Sequence, residues 1–92
     1  MGMDAGKSII ISRHAAQRVE LRGATLEETK QAIRIGSWQP AQRGKWHSRS
    51  VFPFDAVSPV NGRHYAYKTV DVVFADDPAS ITVVTVKVYY HN

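Results

Sequence analysis

Cysteine is absent from the 92-residue chain, which excludes disulfide bonds, thiolate metal sites and a cysteine nucleophile. Long apolar runs are also missing, because none reaches the roughly 18 residues of a membrane-spanning helix, and the N-terminus lacks the apolar core of a signal peptide. We therefore expect no membrane partner and a cytoplasmic location. The histidines lack the local spacing typical of zinc ligands, so neither a metal nor another cofactor is expected.

Acidic residues are the other scarce class. Eight Asp and Glu residues stand against twelve Lys and Arg residues, which gives a net charge of +4. In a chain this small, that balance favours a polyanionic partner such as RNA, DNA or an acidic protein. A soluble basic domain without such a partner is the alternative that charge leaves open. The length predicts a single domain at residues 9–92, preceded by a flexible leader at residues 1–8.

Capping residues predict a helical hairpin near the N-terminus. Ser12 is a good N-cap and Gly23 a good residue to follow a helix end, so they bracket a first helix. Thr25 and Glu28 form a capping box that opens a second helix, and Gly36 ends it. The short connection between the two helices makes them neighbours in the fold.

Strand-forming residues dominate the second half of the chain. Three strands are predicted, at Trp46–Asp55, His64–Ala75 and Ile81–Tyr90. Residues 9–11 are three isoleucines, which either form a short edge strand or pack against the first helix. The order is α-α-β-β-β, which predicts an α+β fold with both helices on one face of a small antiparallel sheet.

Side chains alternate between the two faces of a strand, so each residue can be assigned to a face. Apolar residues share the face towards the helices: Val70, Val72 and Phe74 on one strand, and Val84, Val86 and Val88 on the next. Aromatic and polar residues share the other face, with Tyr67, Thr69 and Asp71 across from Tyr89, Lys87 and Thr85. In this register Lys68 points towards the helices, and a one-residue slip would exchange its role with that of Lys87.

Three basic residues of the first helix, His14, Arg18 and Arg22, are spaced four apart and lie along one stripe. The structural interpretation is that Arg18 pairs with a carboxylate while His14 caps or packs beside the sheet. The functional interpretation is that His14 performs acid–base chemistry while the guanidiniums, with Lys68 approaching from the sheet, hold a phosphate. Metal-free RNA cleavage requires that combination.

A second group of candidates lies on the sheet. Tyr67 and Tyr89 are interleaved with Lys87, and tyrosines among basic residues can stack nucleic-acid bases and hold phosphates. Cross-strand tyrosines are, however, also ordinary stabilisers of sheets. The basic stretch at residues 43–49 adds positive charge, and a charge run of this kind is typical of a solvated surface.

The pattern His14-x3-Arg18-x3-Arg22-Gly23, followed by the capping box, Lys68 and the closing ITVVTVKVY of residues 81–89, resembles a family of small bacterial domains of unknown function. That family is grouped with BrnT and, more distantly, with the RelE/ParE toxins. The resemblance spans most of residues 9–90. It implies a RelE-like fold and a toxin–antitoxin role directed at RNA or the ribosome, with an acidic antitoxin as a further partner.

On that resemblance, the leading hypothesis is a metal-independent ribonuclease with His14, Arg18 and Lys68 as catalytic residues. The RNA-binding residues would be Arg22, Tyr67, Lys87 and Tyr89. The alternative is a non-catalytic module that keeps the toxin-like fold and binds protein or nucleic acid through the tyrosines and Lys87. Association through an exposed edge strand is compatible with either hypothesis.

Overall fold

The computed structural model describes residues 7–92. It contains two helices and five strands: β1 (Ser8–Ile10), α1 (Arg13–Leu21), α2 (Leu26–Ile35), β2 (Gln39–Pro40), β3 (Trp46–Val57), β4 (His64–Asp76) and β5 (Ser80–His91). A short 3-10 turn at Gln42–Gly44 joins β2 to β3. The predicted α+β class is confirmed. The predicted flexible leader, residues 1–8, lies outside the described residues except for Lys7 and Ser8.

The five strands form one mixed sheet in the order β1-β5-β4-β3-β2. The three long strands are antiparallel, as predicted. The expectation of a wholly antiparallel sheet was wrong, because β1 runs parallel to the start of β5. Strands of two and three residues carry too little sequence pattern to reveal their partners, so β2 was not predicted and β1 was one of two alternatives.

The helices begin as the capping residues predicted. The Ser12 hydroxyl accepts a hydrogen bond from the Ala15 N–H at 3.1 Å. At the start of α2, the Thr25 hydroxyl accepts from the Glu28 N–H and the Glu28 carboxylate accepts from the Thr25 N–H, both at 3.0 Å. Gly23 follows α1 with φ +87°, a conformation that other residues adopt only with strain.

A single apolar core joins the helices to one face of the sheet. Val19 of α1 and Ile33 of α2 are fully buried, as are Val72, Phe74 and Val86 of the sheet. Burial of each such side chain contributes about 1.5–3 kcal/mol to folding. The helices therefore pack against this face, and in the part of the chain that the structure describes the opposite face of the three long strands carries no helix.

One predicted core residue, Val84, is half exposed. The pairing of β4 with β5 shifts between Val73, which lies opposite Thr85, and Phe74, which lies opposite Val83. Val84 is the extra residue of this β-bulge, and Val83 takes the buried position instead. A strict two-residue alternation cannot foresee a bulge, because an extra residue reverses the faces beyond it.

The remaining face assignments agree with the prediction, although the pairing differs. Tyr67 lies opposite His91, and Thr69 lies opposite Tyr89, so the partners are displaced by two residues from those expected. A displacement of two residues leaves every side chain on its face. Lys68, opposite Tyr90, accordingly points towards the helices.

Lys68 ties the turn between the two helices to the sheet. Its side chain is almost completely buried. The ammonium donates to the Gly23 carbonyl at 2.7 Å, lies 2.8 Å from the Glu28 carboxylate and sits 5.2 Å from the centre of the Phe54 ring. A buried charge of this kind is tolerated because its partners replace the water that it loses.

We expect Lys68→Met to lower the free energy of unfolding by about 1–3 kcal/mol, because it leaves the Gly23 carbonyl without its donor and the partly buried Glu28 carboxylate without its cation. The midpoint of urea unfolding measures this loss. Lys87→Met is the matched control, since Lys87 is exposed on a neighbouring strand. Equal losses in both variants would contradict the role given to Lys68.

Candidate functional site

The sheet face turned away from the helices, here called the open face, carries the outward side chains of β3, β4 and β5. From one end to the other, β4 and β5 contribute four cross-strand pairs: Tyr67–His91, Thr69–Tyr89, Asp71–Lys87 and Val73–Thr85. Arg49 and His47 of β3 lie beside the third and fourth pairs, respectively. The predicted candidates Tyr67, Lys87 and Tyr89 thus share one surface.

Asp71 is the only carboxylate among the four cross-strand pairs of the open face, and its side chain is 7% exposed. One carboxylate oxygen lies 3.3 Å from Nδ1 of His47, and the other lies 3.3 Å from a guanidinium nitrogen of Arg49. Both oxygens are therefore engaged by β3. Because the carboxylate is occupied and covered, the cations around it dominate the electrostatics of this surface.

One end of the open face is aromatic. The Tyr67 and His91 rings are stacked, with centres 6.0 Å apart and planes at 23°, and His91 Nε2 lies 2.9 Å from the Thr69 hydroxyl. Tyr89 is half exposed beside them. These rings present faces on which a planar ligand can stack. His91 was not among the predicted site residues, although its alternation with Lys87 and Tyr89 places it on this face.

The other end of the open face is cationic and concave. Residues 41–45, which connect β2 to β3, lie over the sheet and form a groove of about 440 Å³, here called the loop groove. Its lining residues are Ala41, Gln42, Arg43, Lys45, Val73, Val84 and Lys87. Within residues 7–92, no carboxylate lies within 4.0 Å of the nitrogens of the three lining cations.

His14 and Arg18 lie elsewhere, at the outer edge of β5. Together with Ala15 they face residues 84–86 across a cavity of about 180 Å³. Arg18 Nε donates to His14 Nε2 at 3.2 Å. The Nε2 lone pair of His14 is the acceptor of this bond, so the two side chains orient each other.

Arg22 belongs to the junction between the hairpin and the sheet. Its guanidinium donates to the Val86 carbonyl, and its own carbonyl accepts from the Tyr90 hydroxyl. Burial is the main cause that raises the pKa of Tyr90, with the Glu28 charge adding to the effect and a hydrogen bond to Ser58 opposing it. Like Lys68, Arg22 donates to a main-chain carbonyl of the fold.

The predicted site residues thus fall into three groups. His14 and Arg18 share the cavity at the edge of β5, Arg22 and Lys68 hold the helical turn, and Tyr67, Lys87 and Tyr89 share the open face. The expectation that Lys68 approaches His14 and Arg18 was wrong: its ammonium contacts Gly23 and Glu28 instead. Lys68 lies at the end of the sheet that receives the C-terminus of α1, whereas His14 lies in its first turn.

Among residues 7–92, no group of three or more His, Cys, Asp or Glu side chains is arranged to hold a metal ion. In the same part of the chain, neither helix is long and apolar enough to cross a membrane. Comparisons of the chain with protein-family models, curated proteins and solved structures found no match. The interpretation of the site therefore rests on its residues and their geometry.

Proposed function

We propose that the protein binds RNA through its open face. The observation that carries the proposal is the arrangement of exposed Tyr67 and Tyr89 next to Lys87 and the loop groove, on a surface whose Asp71 carboxylate is already paired. Aromatic side chains stack on bases of any sequence, and neighbouring cations hold the phosphates. It corresponds to the non-catalytic alternative proposed from the sequence, which already named the tyrosines and Lys87.

The position of the other cations supports the same proposal. Lys68 and Arg22 donate to main-chain carbonyls where the helical turn meets the sheet, so the fold already uses these two charges. Within residues 7–92, the exposed cations of the open face make no recorded bond to a buried group, apart from the Arg49–Asp71 pair. An acidic antitoxin protein would also meet a complementary charge here, and it remains a further proposal.

We expect Tyr89→Ala to weaken binding of a single-stranded RNA oligonucleotide by about 1–3 kcal/mol, the contribution of one base–aromatic stack. Lys87→Gln should weaken it less and reduce the slope of log K against log salt by about 0.7, because one phosphate contact is lost. Fluorescence anisotropy at several salt concentrations measures both quantities.

The matched control for this experiment is His14→Ala, which removes an exposed ring of α1 that lies outside the open face. It should bind RNA like the unmodified protein. The proposal fails if the unmodified protein does not bind RNA at low salt. It also fails if His14→Ala loses as much affinity as Tyr89→Ala.

A second candidate function is metal-independent RNA cleavage at His14 and Arg18. The observation in its favour is that Val84 lines both their cavity and the loop groove, so the two spaces adjoin at the bulge of β5. In the cleavage step, His14, released from its bond to Arg18, would take the proton of the ribose 2′-hydroxyl as that oxygen bonds to phosphorus, and Arg18 would stabilise the charge on the phosphate. His14 would then give the proton to the departing 5′-oxygen as its bond to phosphorus breaks.

If this second function is present, RNA incubated with the protein and a chelator of divalent metals should be cleaved, and His14→Ala should abolish cleavage. The Lys68→Met variant should still cleave RNA if it folds, because Lys68 is remote from the cavity. Gel analysis of end-labelled RNA measures the rate. Intact RNA, or equal cleavage by His14→Ala, would contradict catalysis at this site.

A further inference from the structure

We infer that the loop groove is a binding site for the terminal phosphate of an RNA strand. The inference rests on the proposed function and concerns one end of the same surface. Three features of the groove carry it: its lining by cations, the position of the loop over the sheet and the apolar residue placed in it by the β-bulge.

The charge of the groove suits a phosphate monoester better than an internal diester. Arg43, Lys45 and Lys87 line it, and within the described residues no carboxylate pairs with them. A terminal phosphate carries a charge of about −1.5 to −2 near pH 7 and offers three acceptor oxygens. An internal phosphate carries a single charge. A group of three cations therefore attracts a terminal phosphate more strongly than an internal one.

The loop closes one end of the open face. Four residues of the loop line the groove together with Val73 of β4 and two residues of β5, so the loop reaches across β3 over the outward side chains. A strand that lies along the face meets the loop there. The arrangement favours a chain end in the groove over a chain that continues through it.

The β-bulge supplies the apolar part of the groove. Val84 is half exposed because it is the extra residue between the pairs formed by Val83 and Thr85, and it lines the groove beside Val73. An exposed valine among cations is a fitting contact for the sugar or base of a terminal nucleotide, while the loop cations take its phosphate. The volume of about 440 Å³ is in the range of small-ligand sites.

The groove also lies at a useful distance from the aromatic end of the face. The lining residues Lys87 and Val84 are two and five residues from Tyr89 on β5, which corresponds to about 7 and 16 Å along a strand. A short oligonucleotide can therefore place its terminal phosphate in the groove while a base near that end stacks on Tyr89. The two contacts together fix the direction in which the strand lies.

The test compares three RNA oligonucleotides of one sequence: one with hydroxyl groups at both ends, one with a 5′-phosphate and one with a 3′-phosphate. Each competes with a labelled probe for the unmodified protein. One of the phosphorylated oligonucleotides should bind about tenfold more tightly than the hydroxyl-ended one, as expected for a gain of charge-assisted contacts. Arg43→Gln and Lys45→Gln should each reduce that preference.

Arg63→Gln is the charge-matched control, because Arg63 is an exposed residue in the turn between β3 and β4, and it should keep the preference. Equal affinity for the three oligonucleotides would overturn the inference and leave the proposed function standing. A preference that survives in both loop variants would overturn the assignment to the groove. If none of the three oligonucleotides binds, the proposed function itself is overturned.

Discussion

Two short helices can cover only one face of a sheet built from strands of twelve and thirteen residues. The rest of the structure follows from this limit. The apolar residues of the long strands are gathered on the helix side, where Phe74 and Val86 are buried under α1 and α2. The other face is left to polar, charged and aromatic side chains, which is why the candidate binding surface lies there.

The same division explains which cations are available to a ligand. Lys68 and Arg22 point into the junction between the helical turn and the sheet, where each satisfies a main-chain carbonyl that would otherwise be left without a donor. Removing such a charge costs stability because its partner stays buried. Lys87 differs from Lys68 in facing water, and its charge is therefore free to meet a phosphate. Residue type alone does not separate these two roles.

Much of the fold could be predicted because its signals are local. Ser12 and the Thr25–Glu28 capping box mark the helix starts through hydrogen bonds within a single turn, and Val-rich alternation marks the long strands. The bulge at Val84 and the parallel pairing of β1 with β5 depend on contacts between distant segments, which local patterns do not record. For the site, the face of Lys68 was predictable from alternation, but its partners at Gly23 and Glu28 depend on tertiary packing.

Binding of RNA at the open face is tested most directly by mapping the contact surface in an amide NMR titration with a single-stranded oligonucleotide. We expect the largest changes in amide chemical shift on the open face, at residues such as Asp71, Lys87 and Tyr89, and in the loop at residues 41–45. The amides of α1 around His14 and Arg18 should change little at low occupancy. Shift changes centred on α1, with the open face unaffected, would contradict the account.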